Sequence, residues 1–502
     1  MKTDNFNKMK KNNIILIVSV IAGFLLSSCS NELSDANINP NSLETPDETT
    51  MLSNVIVTEF YNNSNIAWTL GNGYCQYMTF SQSYYNQSTR YSPVTNEPYW
   101  TLMYEAARDA NTLYGLGVAQ DNSVLQAAAL TLRSYAFAQL TELWGDIPFT
   151  EALKGASGTY TPQYDSQETV YTDATVGILP SLQRADSLLA ANPNGIMNGD
   201  MLFNANTTLW RKFINALRLR YLLRISSQAD MQAEVKKEMT AIVNEEPLMQ
   251  DASESAVLEL PTTIPYNFVS LTERSGDYAV KYMNSLLFNE FKATSDSARI
   301  GDYFAPTANT PSGAAFSFDN YGGMPLVVDA TSNQASAASN FNSSFTDGSN
   351  KYLIKARVIT YAEQEFILAE AALKNYIQGD PEAYYNSGVT GAYEEIGLDD
   401  AAASSYLKHD GVVYNSSTAL SQIITQKWLV NINNSFEGWI EYRRTGYPAL
   451  SAGGNANMNN GKIATRFLYP TTEKTINTDN YNTEIKTMGG TENTTYKAWW
   501  EK

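Results

Sequence analysis

Residues 425–448 read TQKWLVNINNSFEGWIEYRRTGYP, and Trp428, Ile432, Phe436, Trp439 and Ile440 recur there every three or four positions. That spacing lines large apolar side chains along one face of a helix, and such a face must be buried. Glu437 and Glu441 are i,i+4 neighbours, and Glu441 and Arg444 are i,i+3 neighbours, so two carboxylates can meet the guanidinium groups of Arg443 and Arg444 in one cluster beside the apolar face. Gly446 and Pro448 then stop the helix. The stretch therefore reads as a core helix carrying a surface ion cluster. The competing reading is a carboxylate-based active site.

The same period recurs along the chain. Over 123–144, Leu125, Ala129, Leu132, Ala136, Leu140 and Leu143 stay in register, with Asp121 or Asn122 as the cap. A helix is predicted over 170–191, kinked or divided by Pro180. Over 208–226, Trp210, Phe213, Leu217, Tyr221 and Ile225 form a stripe for burial, while Arg211, Arg218, Arg220 and Arg224 lie off it and are expected to pair with carboxylates. A helix over 359–376 is followed by Gly379, by Asp380 as cap, by Pro381 at the first helical position and by a second helix over 382–397, a pair resembling one tetratricopeptide unit. At 502 residues the chain exceeds a single ordinary core, so two lobes or an array of helices is expected. Residues 256–350 break the pattern. There the β-like stretch 256–260 gives way to Gly, Ser, Asn and aromatic residues without helical period, which marks an irregular insertion of the kind that often carries function.

The N-terminus specifies a destination. Lys8, Lys10 and Lys11 precede an apolar run over 14–26 that is too short for a stable membrane span, followed by small residues and Cys29. Leu26, Ser27, Ser28 and Cys29 resemble a bacterial lipobox, so residues 1–28 read as a signal peptide and Cys29 as the lipidated first residue of the mature chain. Only Cys75 could compete for it by forming a single disulfide. Acyl chains on Cys29 would anchor the protein without spanning the membrane, and 29–50, polar and acidic, reads as a tether to a helical domain over 51–502. The signal peptide carries four Lys and one Asp, so its loss makes the net charge of −18 three units more negative, and nucleic acid is an unsuitable partner. Charged residues are only 17% of the chain while Tyr numbers 32, a composition suited to neutral ligands.

Catalytic signatures are scarce. His409 is the one histidine, which leaves a Ser-His-Asp triad or a zinc site poorly supported, and no dinucleotide- or nucleotide-binding glycine loop is present. No cofactor is indicated. Residues 71–104 instead interleave Tyr and Trp with Gln, Asn, Ser and Arg90, and such rings stack on sugar C–H faces while amides and guanidinium bond hydroxyls. The candidate ligand-binding residues are Tyr84, Tyr85, Arg90 and Tyr91, with Trp68 just before them and Tyr266, Phe318 and Tyr321 in the insertion completing a cleft. Tyr77, Tyr99 and Tyr104 read as packing residues.

The lipobox at Cys29, NINPN at 37–41, LWGDIP at 143–148, FINALRLRYLLRIS at 213–226, TYAEQEFILAEAAL at 360–373, FEGWIEYRRTGYP at 436–448 and TRFLYP at 465–470 together resemble the SusD/RagB family of outer-membrane nutrient-binding lipoproteins. The resemblance implies an all-α fold of tetratricopeptide-like helix pairs with an irregular ligand-facing part, and no catalytic activity. It implies an outer-membrane lipoprotein facing outward, with Glu32 and Asp35 fitting an export segment, that captures oligosaccharides for a SusC-like TonB-dependent transporter. Peptide binding is an alternative within the family. A glycoside hydrolase using Glu437 and Glu441 is a third reading, and a purely structural envelope scaffold a fourth.

Overall fold

The computed structural model describes residues 47–501, so Cys29, the signal peptide and all but the last residues of the tether lie outside the described residues. The folded unit begins with helix α1 (Glu48–Ile66), three residues before the expected domain start. It is built mainly from helices packed on sequence neighbours: α2 (Glu97–Ala119) on α3 (Ser123–Trp144), α3 on α4 (Ile178–Ala191), and α4 on α5 (Thr207–Ile225). After α6 (Gln232–Glu245) and the insertion come the pair α7 (Tyr361–Leu373) and α8 (Pro381–Glu394), then α9 (Ala419–Val430) and α10 (Glu437–Thr445). The mostly helical architecture is the all-α fold that the resemblance implies. Side-chain caps supply partners for otherwise unbonded N–H groups at the helix starts: Asn122 accepts from Leu125 N–H, Asn206 from Thr208 and Leu209, Thr360 from Glu363, and Asp380 from Glu382 with Pro381 at the first helical position.

The insertion is attached by short antiparallel ladders. β1 (Met78–Phe80), β2 (Ile147–Pro148) and β3 (Tyr164–Asp165) precede it, and β4 (Ala256–Leu258), β5 (Lys281–Met283) and β6 (Ala356–Ile359) lie at its base and within it. β4 pairs with β6 and closes the insertion at its two ends, while β1 pairs with β5 in the register Met78 to Met283 and Phe80 to Lys281. The segment after β1 is thereby held against the insertion.

Two helix assignments are corrected. The helix expected across 425–448 is two, α9 and α10, because the turn at 431–435 takes Asn433 (φ 65°) and Ser435 (φ 44°) into the left-handed region. Asn tolerates that conformation, and here Asn72 reads the turn twice: its Oδ1 accepts Asn433 N–H at 3.1 Å and its Nδ2 donates to Asn433 Oδ1 at 2.6 Å. The approach is so close that a Cβ at Gly71 would lie 2.0 Å from the Ser435 carbonyl oxygen, so only glycine fits. The helix expected over 170–191 also divides, but ahead of Pro180. Asp173 Oδ1 accepts the N–H groups of Thr175 and Val176 and turns the chain, and Pro180 falls in the first turn of α4, where its missing N–H costs little.

The ion cluster expected at the surface lies in the core. Arg224 of α5 is fully buried and binds Glu142 of α3 at 2.7 Å, Glu437 of α10 at 2.6 Å and Glu441 of α10. Arg444 bridges Glu370 of α7 and Glu441, both at 2.6 Å, and Arg220 pairs with Glu363 of α7 at 2.7 Å. Lys427 of α9 completes the array at 3.2 Å from Glu441. Arg211 and Arg218 also find carboxylates, Asp186 at 2.8 Å and Glu238 at 3.3 Å, as expected of the arginines on that helix. A separate buried acid, Glu59 of α1, has no hydrogen-bond partner on either oxygen, and burial pushes its pKa well above the usual carboxylate range.

Arg224→Met leaves three buried carboxylates without their common partner and should cost about 3–5 kcal/mol in denaturant unfolding; a loss under about 1 kcal/mol contradicts this placement. Glu59, with its raised folded pKa, favours folding fully below its unfolded pKa near 4.5, and that contribution is lost as pH rises toward the folded value. Glu59→Gln lacks this dependence. Its melting temperature should therefore gain on the wild type as pH rises from about 5 to 9, and a constant gap between the two would show that Glu59 is ionised in the fold.

Candidate functional site

Tyr84 stands on the loop after β1 and is 80% exposed, the largest exposure of any big hydrophobic side chain among the described residues. Its ring meets the edge of Tyr85 at 5.0 Å and 86°. Tyr85 in turn stacks on Phe80 of β1 at 6.1 Å and donates its hydroxyl hydrogen to Asp277 Oδ1 at 2.5 Å. Arg274 holds the same carboxylate through Nε at 2.8 Å and Nη2 at 3.0 Å. Hydrogen bonds from Arg274 and Tyr85 keep Asp277 below the usual carboxylate range, so it stays ionised and oriented.

The loop itself is stitched to the insertion. Ser81 N–H donates to the Val280 carbonyl at 2.9 Å, Ser83 N–H to Asp329 Oδ1 at 2.7 Å, Asn86 Nδ2 to the Val327 carbonyl at 2.5 Å, and Ala330 N–H to the Ser81 carbonyl at 2.8 Å. An exposed aromatic ring on a fixed base, beside an ordered guanidinium and carboxylate, offers a stacking face and hydrogen-bonding groups at little cost in ordering on binding. Arg274 and Asp277 were not singled out from sequence. The available signal was their i,i+3 spacing in TERSGD, inside the stretch with the least helical period.

Other candidates separate into distinct places. Trp68 is corrected: it is fully buried in a π-helical turn that continues α1, stacked on Phe345 at 5.4 Å and Tyr278 at 6.2 Å, with Nε1–H donated to Glu273 at 3.0 Å. Neither face of its indole is open to a ligand. Tyr91 is corrected in the same way, being fully buried edge-on to Tyr74 at 5.6 Å, with its hydroxyl oxygen accepting Gln76 Nε2 at 2.9 Å. Arg90 is half-buried and its Nε donates to the Ala456 carbonyl at 2.7 Å. Tyr266 is 45% exposed and packs on Tyr61 at 5.6 Å, whereas Phe318 and Tyr321 are half-buried around the exposed Phe316 at 5.2 and 5.6 Å. Among the described residues no ring of these two groups is in direct contact with the Tyr84–Tyr85 pair. Tyr77 and Tyr99 are packing residues, both buried.

The carboxylates weighed as catalytic have no open face. Glu437 and Glu441 are 3% and 1% exposed and committed to Arg224, Lys427 and Arg444. His409 places Nδ1 3.1 Å from the Thr294 carbonyl and its ring edge-on to Tyr406 at 5.9 Å. Cys75 is buried with Sγ accepting Trp439 N–H at 3.2 Å, and burial raises its thiol pKa, which disfavours the reactive thiolate. Among the described residues no three His, Cys, Asp or Glu side chains gather as a metal site, and no helix is long and apolar enough to cross a membrane.

The SusD-like family model described as starch-binding and associating with the outer membrane matches residues 40–470, and the chain belongs to this family. No curated protein sequence matches. Among solved structures, one from Bacteroides vulgatus, described as an outer-membrane protein involved in nutrient binding, is 27% identical with a TM-score of 0.79, covering 91% of this chain and 100% of its own. A SusD homologue from Bacteroides fragilis is 24% identical with a TM-score of 0.77 over 91% and 100% of the two chains. A chitin-binding SusD homologue from Flavobacterium johnsoniae shares the fold at 20% identity and a TM-score of 0.73, over 90% and 97%. Where these descriptions name an activity, it is binding rather than catalysis.

Proposed function

We propose that this chain is a lipid-anchored, outward-facing outer-membrane protein that captures oligosaccharides without turning them over and delivers them to a SusC-like TonB-dependent transporter. The observation that carries the reading is the Tyr84 ring, exposed yet braced by Tyr85, Asp277 and Arg274. Membership of a family described as starch-binding supplies the ligand class, and the chitin-binding relative shows that the same fold accommodates a second glycan. The anchor is Cys29, and the transporter is the partner that the resemblance of the shared motifs implies.

Soluble maltooligosaccharides and chitooligosaccharides, measured by calorimetry, test the site. Tyr84→Ala and Arg274→Ala should each weaken whichever glycan binds by about tenfold, close to 1.4 kcal/mol, with little change in melting temperature. Trp68→Ala should instead lower stability by about 3–5 kcal/mol, as for a large core side chain. Full affinity in both Tyr84→Ala and Arg274→Ala removes the assignment of this surface, and preference for peptides over every glycan tested turns the reading to peptide capture. Replacing Cys29 by Ser should release the protein from the membrane fraction and abolish palmitate labelling; retention of label would place the lipid elsewhere.

A further inference from the structure

The charges beside Tyr84 do not favour an anion. On the insertion side Arg274 pairs with Asp277 and Lys281 with Glu273, so each cation there is already matched. On the other side Asp329, an exposed residue, accepts the N–H of Ser83, the neighbour of Tyr84 in the chain, and no lysine or arginine pairs with it among the described residues. Arg90, at the far end of the loop, is committed through Nε to the Ala456 carbonyl at 2.7 Å. The exposed ring thus stands between a balanced ion pair and an unbalanced carboxylate, on a chain whose net charge is −18.

Asp277 decides what Arg274 can bind. Its two oxygens take Nε at 2.8 Å and Nη2 at 3.0 Å, the edge of the guanidinium that grips a carboxylate through two parallel bonds. Tyr85 donates a third bond to the same group, and these donors keep Asp277 ionised below the usual carboxylate range. Arg274 is exposed, so its remaining N–H groups face solvent and can still donate to an uncharged oxygen. A hydroxyl accepts such a bond without bringing charge. A ligand carboxylate would instead meet a cation already matched by Asp277, with the charge of Asp329 close to the same ring. Near a solvent-exposed surface one unit charge at about 6 Å changes an affinity by roughly threefold, so two of them act together on the order of tenfold.

We propose that Asp277 is a specificity-determining residue of the Tyr84 surface, occupying Arg274 so that the surface takes uncharged oligosaccharides and turns away those bearing carboxylates. The inference rests on capture at Tyr84 and adds the class of glycan captured. A sugar ring stacks on Tyr84 while its hydroxyl oxygens accept from the outer N–H groups of Arg274. Asp329 adds to the exclusion through its charge alone, since its bond to the Ser83 N–H needs only an oxygen acceptor.

Calorimetry on the full-length protein at low salt, with maltohexaose, the hexamer of N-acetylglucosamine and each of them oxidised at C6 to its uronic acid form, tests it. The two members of each pair differ only in carrying a carboxylate in place of the primary alcohol. The wild type should bind a neutral hexamer about tenfold more tightly than its oxidised counterpart, and the gap should shrink as salt rises. Asp329→Asn keeps an acceptor for the Ser83 N–H and removes only the charge, so it should narrow the gap about threefold; Asp277→Asn, which also releases Arg274, should narrow it about tenfold. Because the ratio is read within each variant, a general loss of affinity does not imitate the effect, and thermal melts establish that each variant is folded. Equal or tighter binding of the oxidised form by a wild type whose neutral binding depends on Tyr84, or an unchanged ratio in Asp277→Asn, overturns the inference and leaves capture standing. Binding of neither neutral hexamer, or neutral binding that Tyr84→Ala does not weaken, removes capture at this surface and the inference with it.

Discussion

Arg224 binds three carboxylates from two helices at the centre of the molecule, and the arrangement of the scaffold follows from the need to keep that guanidinium and those carboxylates together. A buried ion of either sign is costly unless neighbours compensate it. Here the cations Arg220, Arg224, Lys374, Lys427 and Arg444 face the anions Glu142, Glu363, Glu370, Glu437 and Glu441, five against five, contributed by α3, α5, α7, α9, α10 and the residue following α7. Burial would raise the pKa of Glu441, yet Arg444, Lys427 and Arg224 outweigh it and hold it well below the usual range; Arg444 and Lys374 do the same for Glu370, down to about 2. Such lowered carboxylates contribute stability above the ordinary carboxylate pKa, and that contribution is lost as pH falls through their folded values. At neutral pH it is fully present.

Arg443 extends the network outward. It lies between the rings of Trp439 and Trp500, at 4.7 and 4.6 Å, and pairs with Glu501, so the chain's end is fastened to the same core. The helices fixed this way carry segments that hang from the scaffold by short ladders and side-chain bonds. The loop carrying Tyr84 and the insertion carrying Arg274 and Asp277 are such segments, joined through β1 and β5. The surface is placed by a rigid frame without belonging to it.

Much of this was legible in the sequence, for reasons that differ by element. The stripe of Trp210, Phe213, Leu217, Tyr221 and Ile225 and the Asp380–Pro381 start of α8 are local signals, and local signals survive folding. The break between α9 and α10 was not legible, because it depends on Asn72, some 360 residues away, reading the Asn433 turn. Burial of the charged cluster was missed for a related reason: spacing shows that Glu437, Glu441 and Arg444 share a neighbourhood but not that Arg224 arrives from α5 to enclose them. Aromatic composition picked the exposed Tyr84 together with the fully buried Trp68 and Tyr91, since an open ring and a packed ring look alike until the neighbours are known.

An ion-locked helical frame holds a surface built on the loop after β1 and the insertion, and that surface is the one proposed to face the ligand. Hydrogen exchange followed by mass spectrometry, with and without a saturating oligosaccharide that binds, tests it most directly. The account predicts added protection in peptides covering 81–91 and 274–278 and no change in peptides covering α9 and α10. Protection gained in α9 and α10, with none in the Tyr84 loop, would contradict it.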